Sequence, residues 1–117
     1  MKQTQMFFSP ETSAEILQKL LNGNRISRSA QLKTIPRLCF ASGQSMSVQA
    51  SDFHACLPRR LHGPYTHVEV GLPSIAMPEL MPFIQHEDRI PPEKSIYPYV
   101  PIEVVMDIIV EQGGLSL

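Results

Sequence analysis

The sequence predicts an α+β fold: a small, mainly antiparallel sheet packed against a C-terminal helix, with an N-terminal helix and a proline-rich wrapping loop. Three observations predict it. Between residues 37 and 71, short runs alternate apolar and polar side chains with period two, as half-buried strands do. Residues 10–22 and 101–113 instead place apolar side chains at helical spacing, between a start signal and a glycine stop. Residues 73–101 hold seven prolines, which exclude a long helix or a central strand there.

At 117 residues the chain has room for a single domain, 1–117, with one modest core. Within it the expected parts are an N-terminal helix over 1–24, packed on the sheet or else peripheral and free to bind a partner, strands and a hairpin over 37–71, the proline-rich loop over 72–95 and the C-terminal helix over 101–113. A hydrophobic content of 43% with 18% charged residues fits a globular protein, and the net charge of −1 supplies no global field toward nucleic acid or membrane. The charge is segregated, however. Residues 1–78 carry eight Lys and Arg against four acids, and residues 79–117 carry two against seven.

The elements follow in order. Ser9 caps a helix with Pro10 at its first position, or Thr12 caps it with Glu15 at capping-box spacing. Ile16, Leu17, Leu20 and Leu21 form its apolar stripe, and Gly23 ends it. Residues 25–36 read as a polar, basic connection. Arg37 to Ala41 is a short strand, ended at Ser42-Gly43. Met46, Val48 and Ala50 alternate with polar neighbours; Phe53, Ala55 and Leu57 do so with the opposite parity, which calls for a β-bulge near Ser51 and Asp52. The second hairpin strand alternates Thr66, Val68 and Val70 with Tyr65, His67 and Glu69. Burying one face of this pair turns Phe53, Ala55 and Leu57 inward, and leaves Asp52, His54, Cys56, Tyr65, His67 and Glu69 on the polar face. The turn from Pro58 to Pro64 then projects Arg59, Arg60 and His62 into solvent. Downstream, Pro78 begins one or two helical turns running to His86, and Ile75, Met77, Leu80, Met81, Phe83 and Ile84 cover a core edge. Ser95 to Val100 is an edge strand because of Pro98. In the last helix, β-branched residues compete with the helical spacing of Ile102, Val105, Met106 and Ile109. The spacing prevails, with Pro101 at the start, Glu103, Asp107 and Glu111 on an acidic stripe, and Gly113 at the stop.

Little catalytic equipment is legible. No phosphate-cradling glycine loop opens a helix, and neither a nucleophile elbow nor a Cys-x-x-Cys is present. His54, Cys56 and His67 on one strand face are the one set suited to a transition metal, or to thiol and acid–base chemistry, but paired ligands at tight spacing in two places are missing. Lys19, Arg25, Arg28, Lys33 and Arg37, with no acid between Glu15 and Asp52, are a dispersed basic face for nucleic acid. The start of the chain shows no secretory signal, and no run of 18 apolar residues is present, so the expectation is a cytoplasmic protein with no membrane contact, no cofactor and reduced Cys39 and Cys56.

Residues Ser45 to Ser51, Pro58-Arg59, Gly63 to Thr66, Val68 to Gly71 and Pro73-Ser74 resemble a pattern in small uncharacterised proteins carried by bacterial prophages and plasmids. Tyr97, Tyr99-Val100-Pro101, Glu103-Val104 and Gly113-Gly114 continue it. The resemblance covers residues 45–114, leaves the N-terminal helix outside, and transfers no catalytic residue. It implies a setting: mobile-element cargo that binds and blocks a host machine, as an inhibitor of antiviral defence such as an anti-CRISPR protein does. The expected function is therefore non-enzymatic protein binding through Arg59, Arg60, His62, Tyr65, His54, His67 and Glu69, or through the acidic helix stripe as a nucleic-acid mimic. Two alternatives stand beside it: a nucleic-acid-binding accessory protein using the basic face, and a small metal- or thiol-dependent enzyme at His54, Cys56 and His67.

Overall fold

A computed structural model describes residues 10–22, 26–27, 33–85 and 89–116. Its elements are α1 (Pro10–Asn22), β1 (Ile26–Ser27), β2 (Lys33–Thr34), β3 (Leu38–Cys39), β4 (Ser45–Gln49), β5 (His67–Gly71), β6 (Ile96–Pro101) and α2 (Ile102–Glu111). Two 3₁₀ helices, Pro78–Phe83 and Pro92–Lys94, lie between β5 and β6. Strands β3-β4-β5-β6 form one antiparallel sheet in that order, and the fold class is α+β as the sequence predicts.

Helix α1 begins at Pro10, which suits the first helical position and places Thr12 inside the helix rather than at its cap; Ser9 and Gly23 lie outside the described residues. Leu17 and Leu21 are fully buried, and α1 packs on α2, so this helix is part of the core rather than peripheral to it. The stretch 25–36 is more than a connection, because β1 pairs with β2, Ile26 opposite Thr34.

Met46 and Val48 of β4 are buried, as are Ala50 just beyond it and Val68 and Val70 of β5. The hairpin partner of β5 is not the 53–57 run, however. It is β4, with Val48 opposite Val70 and Gln49 opposite Glu69. After Ala50 the chain leaves the sheet and, apart from an isolated bridge of Leu57 to His67 and a bond from Tyr99 to Ala55, rejoins it as a strand only at His67. The expected bulge at Ser51 and Asp52 is absent, and the register shift lies between β5 and β6 instead. There Val68 pairs with Val100 and Val70 with Tyr97, so Pro98 and Tyr99 together oppose one residue. Tyr99 takes φ +54°, which lets Tyr97 and Val100 both remain buried while Tyr99 faces out.

The proline-rich stretch wraps the core as expected: Met77 and Leu80 are buried, and its 3₁₀ helix packs against β6. His86, the expected end of that turn, lies outside the described residues. Helix α2 buries Val105, Ile108 and Ile109, with Ile102 and Met106 half-buried at the margin. Pro101 sits one residue before its first turn, and the Ile102 N–H donates to the Thr66 carbonyl at 2.9 Å. Its C-terminus is a Schellman closure: Gly114 N–H reaches the Ile109 carbonyl at 2.8 Å and Gly113 N–H the Val110 carbonyl at 3.1 Å, with Gly113 at φ +87°.

Both outer sheet edges are covered. The chain after α2 pairs with β3, Ser116 N–H donating to the Cys39 carbonyl at 2.9 Å. On β6, Tyr99 N–H donates to the Ala55 carbonyl at 3.1 Å, and the Ile96 carbonyl accepts from Gln85 N–H at 3.1 Å.

Candidate protein-binding surface

The 51–66 excursion is built from its own hydrogen bonds. Ser51 Oγ accepts the Phe53 N–H at 3.0 Å, a Ser turn that takes the backbone out of the strand conformation. The same oxygen lies 2.7 Å from His54 Nδ1, and Cys56 Sγ donates to the Ser51 carbonyl at 3.1 Å. These bonds pull His54 and Cys56 inside, leaving them 8% and 0% exposed. Phe53 and Leu57 are turned outward to 54% and 45% exposure. This inverts the expected register, in which Phe53, Ala55 and Leu57 faced the core and His54, Cys56 and Tyr65 faced solvent. Strand alternation does not extend across a segment whose N–H groups are satisfied by a serine side chain and by non-adjacent carbonyls.

The excursion is tied to the body at several points. Glu69 Oε1 accepts the Ala55 N–H at 3.1 Å, and Leu57 bridges to His67, its N–H donating to the His67 carbonyl at 3.0 Å. Tyr65 is buried, and its hydroxyl donates to the Arg60 carbonyl at 2.7 Å. Gln18 of α1 grips the Tyr65 backbone from both sides, accepting its N–H at 3.4 Å and donating to its carbonyl at 3.3 Å. Asn22 Oδ1 accepts the Gly63 N–H. Helix α1 therefore supports the base of the loop.

The expected contact residues thus divide. Arg59, Arg60 and His62 are exposed on the loop. His54 and Tyr65 are internal supports, while Glu69 and His67 are half-buried, Glu69 fastening the loop and His67 holding Thr66 Oγ1 against its Nδ1 at 2.9 Å. Alternation concealed the surface members Phe53 and Leu57. Leu61, bracketed by Arg60 and His62, is also exposed, as is Tyr99, whose backbone holds the loop.

The chemical alternatives fare differently. His54, Cys56 and His67 do not converge: among the described residues no group of three or more His, Cys, Asp and Glu is placed to hold a metal ion. Burial is the largest influence on the Cys56 thiol and pushes it above its ordinary value, which favours the neutral thiol over the thiolate that nucleophilic chemistry requires. Of the five basic-face residues, Arg25 and Arg28 lie outside the described residues and Lys33 is in β2. Lys19 is exposed on α1. Arg37 is a clamp, donating to Ser45 Oγ at 3.1 Å and to the Leu72 carbonyl at 2.6 Å. No helix among the described residues is long and apolar enough to cross a membrane.

No family model, no curated protein and no solved structure matches the chain.

Proposed function

We propose that this chain is a non-enzymatic protein-binding factor that docks through the 53–62 loop together with Tyr99. The observation that carries the reading is the inverted loop: Phe53, Leu57 and Leu61 are exposed on the same loop as exposed Arg59 and Arg60, while Ser51 and His54 are turned inside. Aromatic and arginine side chains on a pre-ordered base are the composition of interface hot spots. An ordered loop also loses less conformational freedom when it binds. Because both outer edges of the four-stranded sheet are covered, recognition by the loop that rests on it runs through side chains rather than through strand addition to that sheet. The partner that fits offers an apolar centre with carboxylates around it. The resemblance to prophage and plasmid proteins gives the reading its setting, a bacterial mobile element whose product inhibits host antiviral defence.

The test is capture of partners from a bacterial lysate by the full chain and by an Arg59→Glu, Arg60→Glu variant of unchanged melting temperature. The reading expects a protein held in fixed stoichiometry by the native chain and lost from the variant. Identical capture by both would remove the loop from the account. Exposed Phe53, and Tyr99 bonded to the same loop that carries Arg59 and Arg60, also suit base stacking on single-stranded nucleic acid. Salt-sensitive retention on single-stranded DNA, abolished by Phe53→Ser with Tyr99→Ser, would favour that reading instead.

A further inference from the structure

A cleft of about 390 Å³ lies between the start of the first 3₁₀ helix and the end of α2, lined by Ile75, Ala76, Met77, Pro78, Glu79, Glu111 and Gln112. It does not involve the loop residues, and the inference drawn from it is independent of the loop reading. Its size is too small for a helix, about 10 Å across with side chains, but suits one or two inserted side chains. Ile75 and Pro78 give it an exposed apolar wall, and Glu79 and Glu111 give it charge.

The placement of Glu111 is a local conflict. It occupies the last turn of α2, at the negative end of the helix dipole, and that turn contains no basic residue. An acid there is unfavourable within the chain, and it becomes favourable once a cation is brought from outside. Breaches of local preference of this kind are expected where function requires them.

We propose that this cleft is a second docking site, for a cationic segment of a partner protein. A lysine or arginine lays its aliphatic stem along Ile75 and Pro78 and presents its charge to Glu79 and Glu111. The charge asymmetry of the chain favours this occupant, since residues 79–117 carry seven acids against two bases.

The probe is a fluorescein-labelled hexapeptide of leucine, lysine and arginine, titrated with the full chain and read by anisotropy. A control peptide replaces each cation with glutamate. The expected result is saturable binding of the cationic peptide alone, weakened roughly tenfold by Glu79→Gln with Glu111→Gln. Ile75→Ser also weakens it, whereas Glu93→Gln and the pair Arg59→Ala, Arg60→Ala leave it unchanged. Absence of binding overturns the proposal, as does equal weakening by Glu93→Gln, which marks diffuse attraction. Loss on Arg59→Ala, Arg60→Ala places the peptide at the loop and overturns it too. Self-association of the chain that both the loop and the cleft substitutions dissolve assigns the cleft to a second copy and overturns the partner assignment. Melting temperatures of all variants confirm that each titrated protein is folded.

Discussion

Cys56 and Cys39 are thiols of opposite circumstance, one wholly buried and one exposed, and both free. A thiol reagent is therefore expected to label Cys39 alone in the native protein and both cysteines in denaturant; rapid native labelling of Cys56 would contradict the inverted loop. The buried groups also set an alkaline limit. Burial raises Cys56 from its ordinary 9.0, and burial followed by the nearby charge of Glu93 raises Tyr97 from 10.0. A raised value in the folded state means that the unfolded chain loses its proton first. The stabilising contribution is whole below pH 9, then is lost as pH rises through the folded-state values. The melting temperature should fall above that point, less steeply in Cys56→Ala. Tyr99 is the other informative residue. Its φ of +54° suits glycine, so Tyr99→Gly should leave stability unchanged or raise it by up to about 1 kcal/mol while weakening partner capture. A clear loss of stability in urea would instead make the ring a support of the fold. Glu111→Lys, by the same reasoning, should raise stability by about 0.3–1 kcal/mol and abolish binding of the cationic peptide.

At the scale of elements, the most consequential contact is one side chain acting as a strand. Gln49 at the end of β4 accepts the Ile35 N–H at 2.7 Å and donates to the Ile35 carbonyl at 2.8 Å, all of it buried. Gln49→Ala leaves both backbone groups without a partner and should cost about 2–4 kcal/mol in urea denaturation. A cost below 1 kcal/mol would mean that water replaces the amide there. Nothing in the sequence announces this pair, because Gln49 reads as an ordinary polar position in an alternating run. What was legible were periodicities that stay within one element. Leu17 and Leu21 on α1, Met46 and Val48 on β4, Val68 and Val70 on β5, and the exposed Glu103, Asp107 and Glu111 on α2 all sit where spacing places them. Pairing was not legible, since β4 reaches β5 across a long excursion whose own residues alternate well enough to imitate the missing strand. Ser51 breaks that imitation through a single side-chain hydrogen bond. Of the candidate site, Arg59, Arg60 and His62 were readable because Pro58 and Pro64 bound a turn. Phe53, Leu57 and Tyr99 were not, because their exposure follows from the excursion and from the bulge.

Across the whole molecule, the two ends of the charge distribution serve different surfaces. The cationic loop rests on α1 and β5, and the acidic stripe and cleft belong to α2 and the first 3₁₀ helix. Both outer edges of the four-stranded sheet are covered by backbone hydrogen bonds, which guards that sheet against edge-to-edge aggregation. The proposed binding function stands or falls with the outward-turned loop. The most direct test pairs Phe53→Ser with Arg59→Glu and compares partner capture by this variant and the native chain at matched melting temperature. The captured protein should be lost from the variant while the fold persists. Retention of the same partner at native stoichiometry would contradict it.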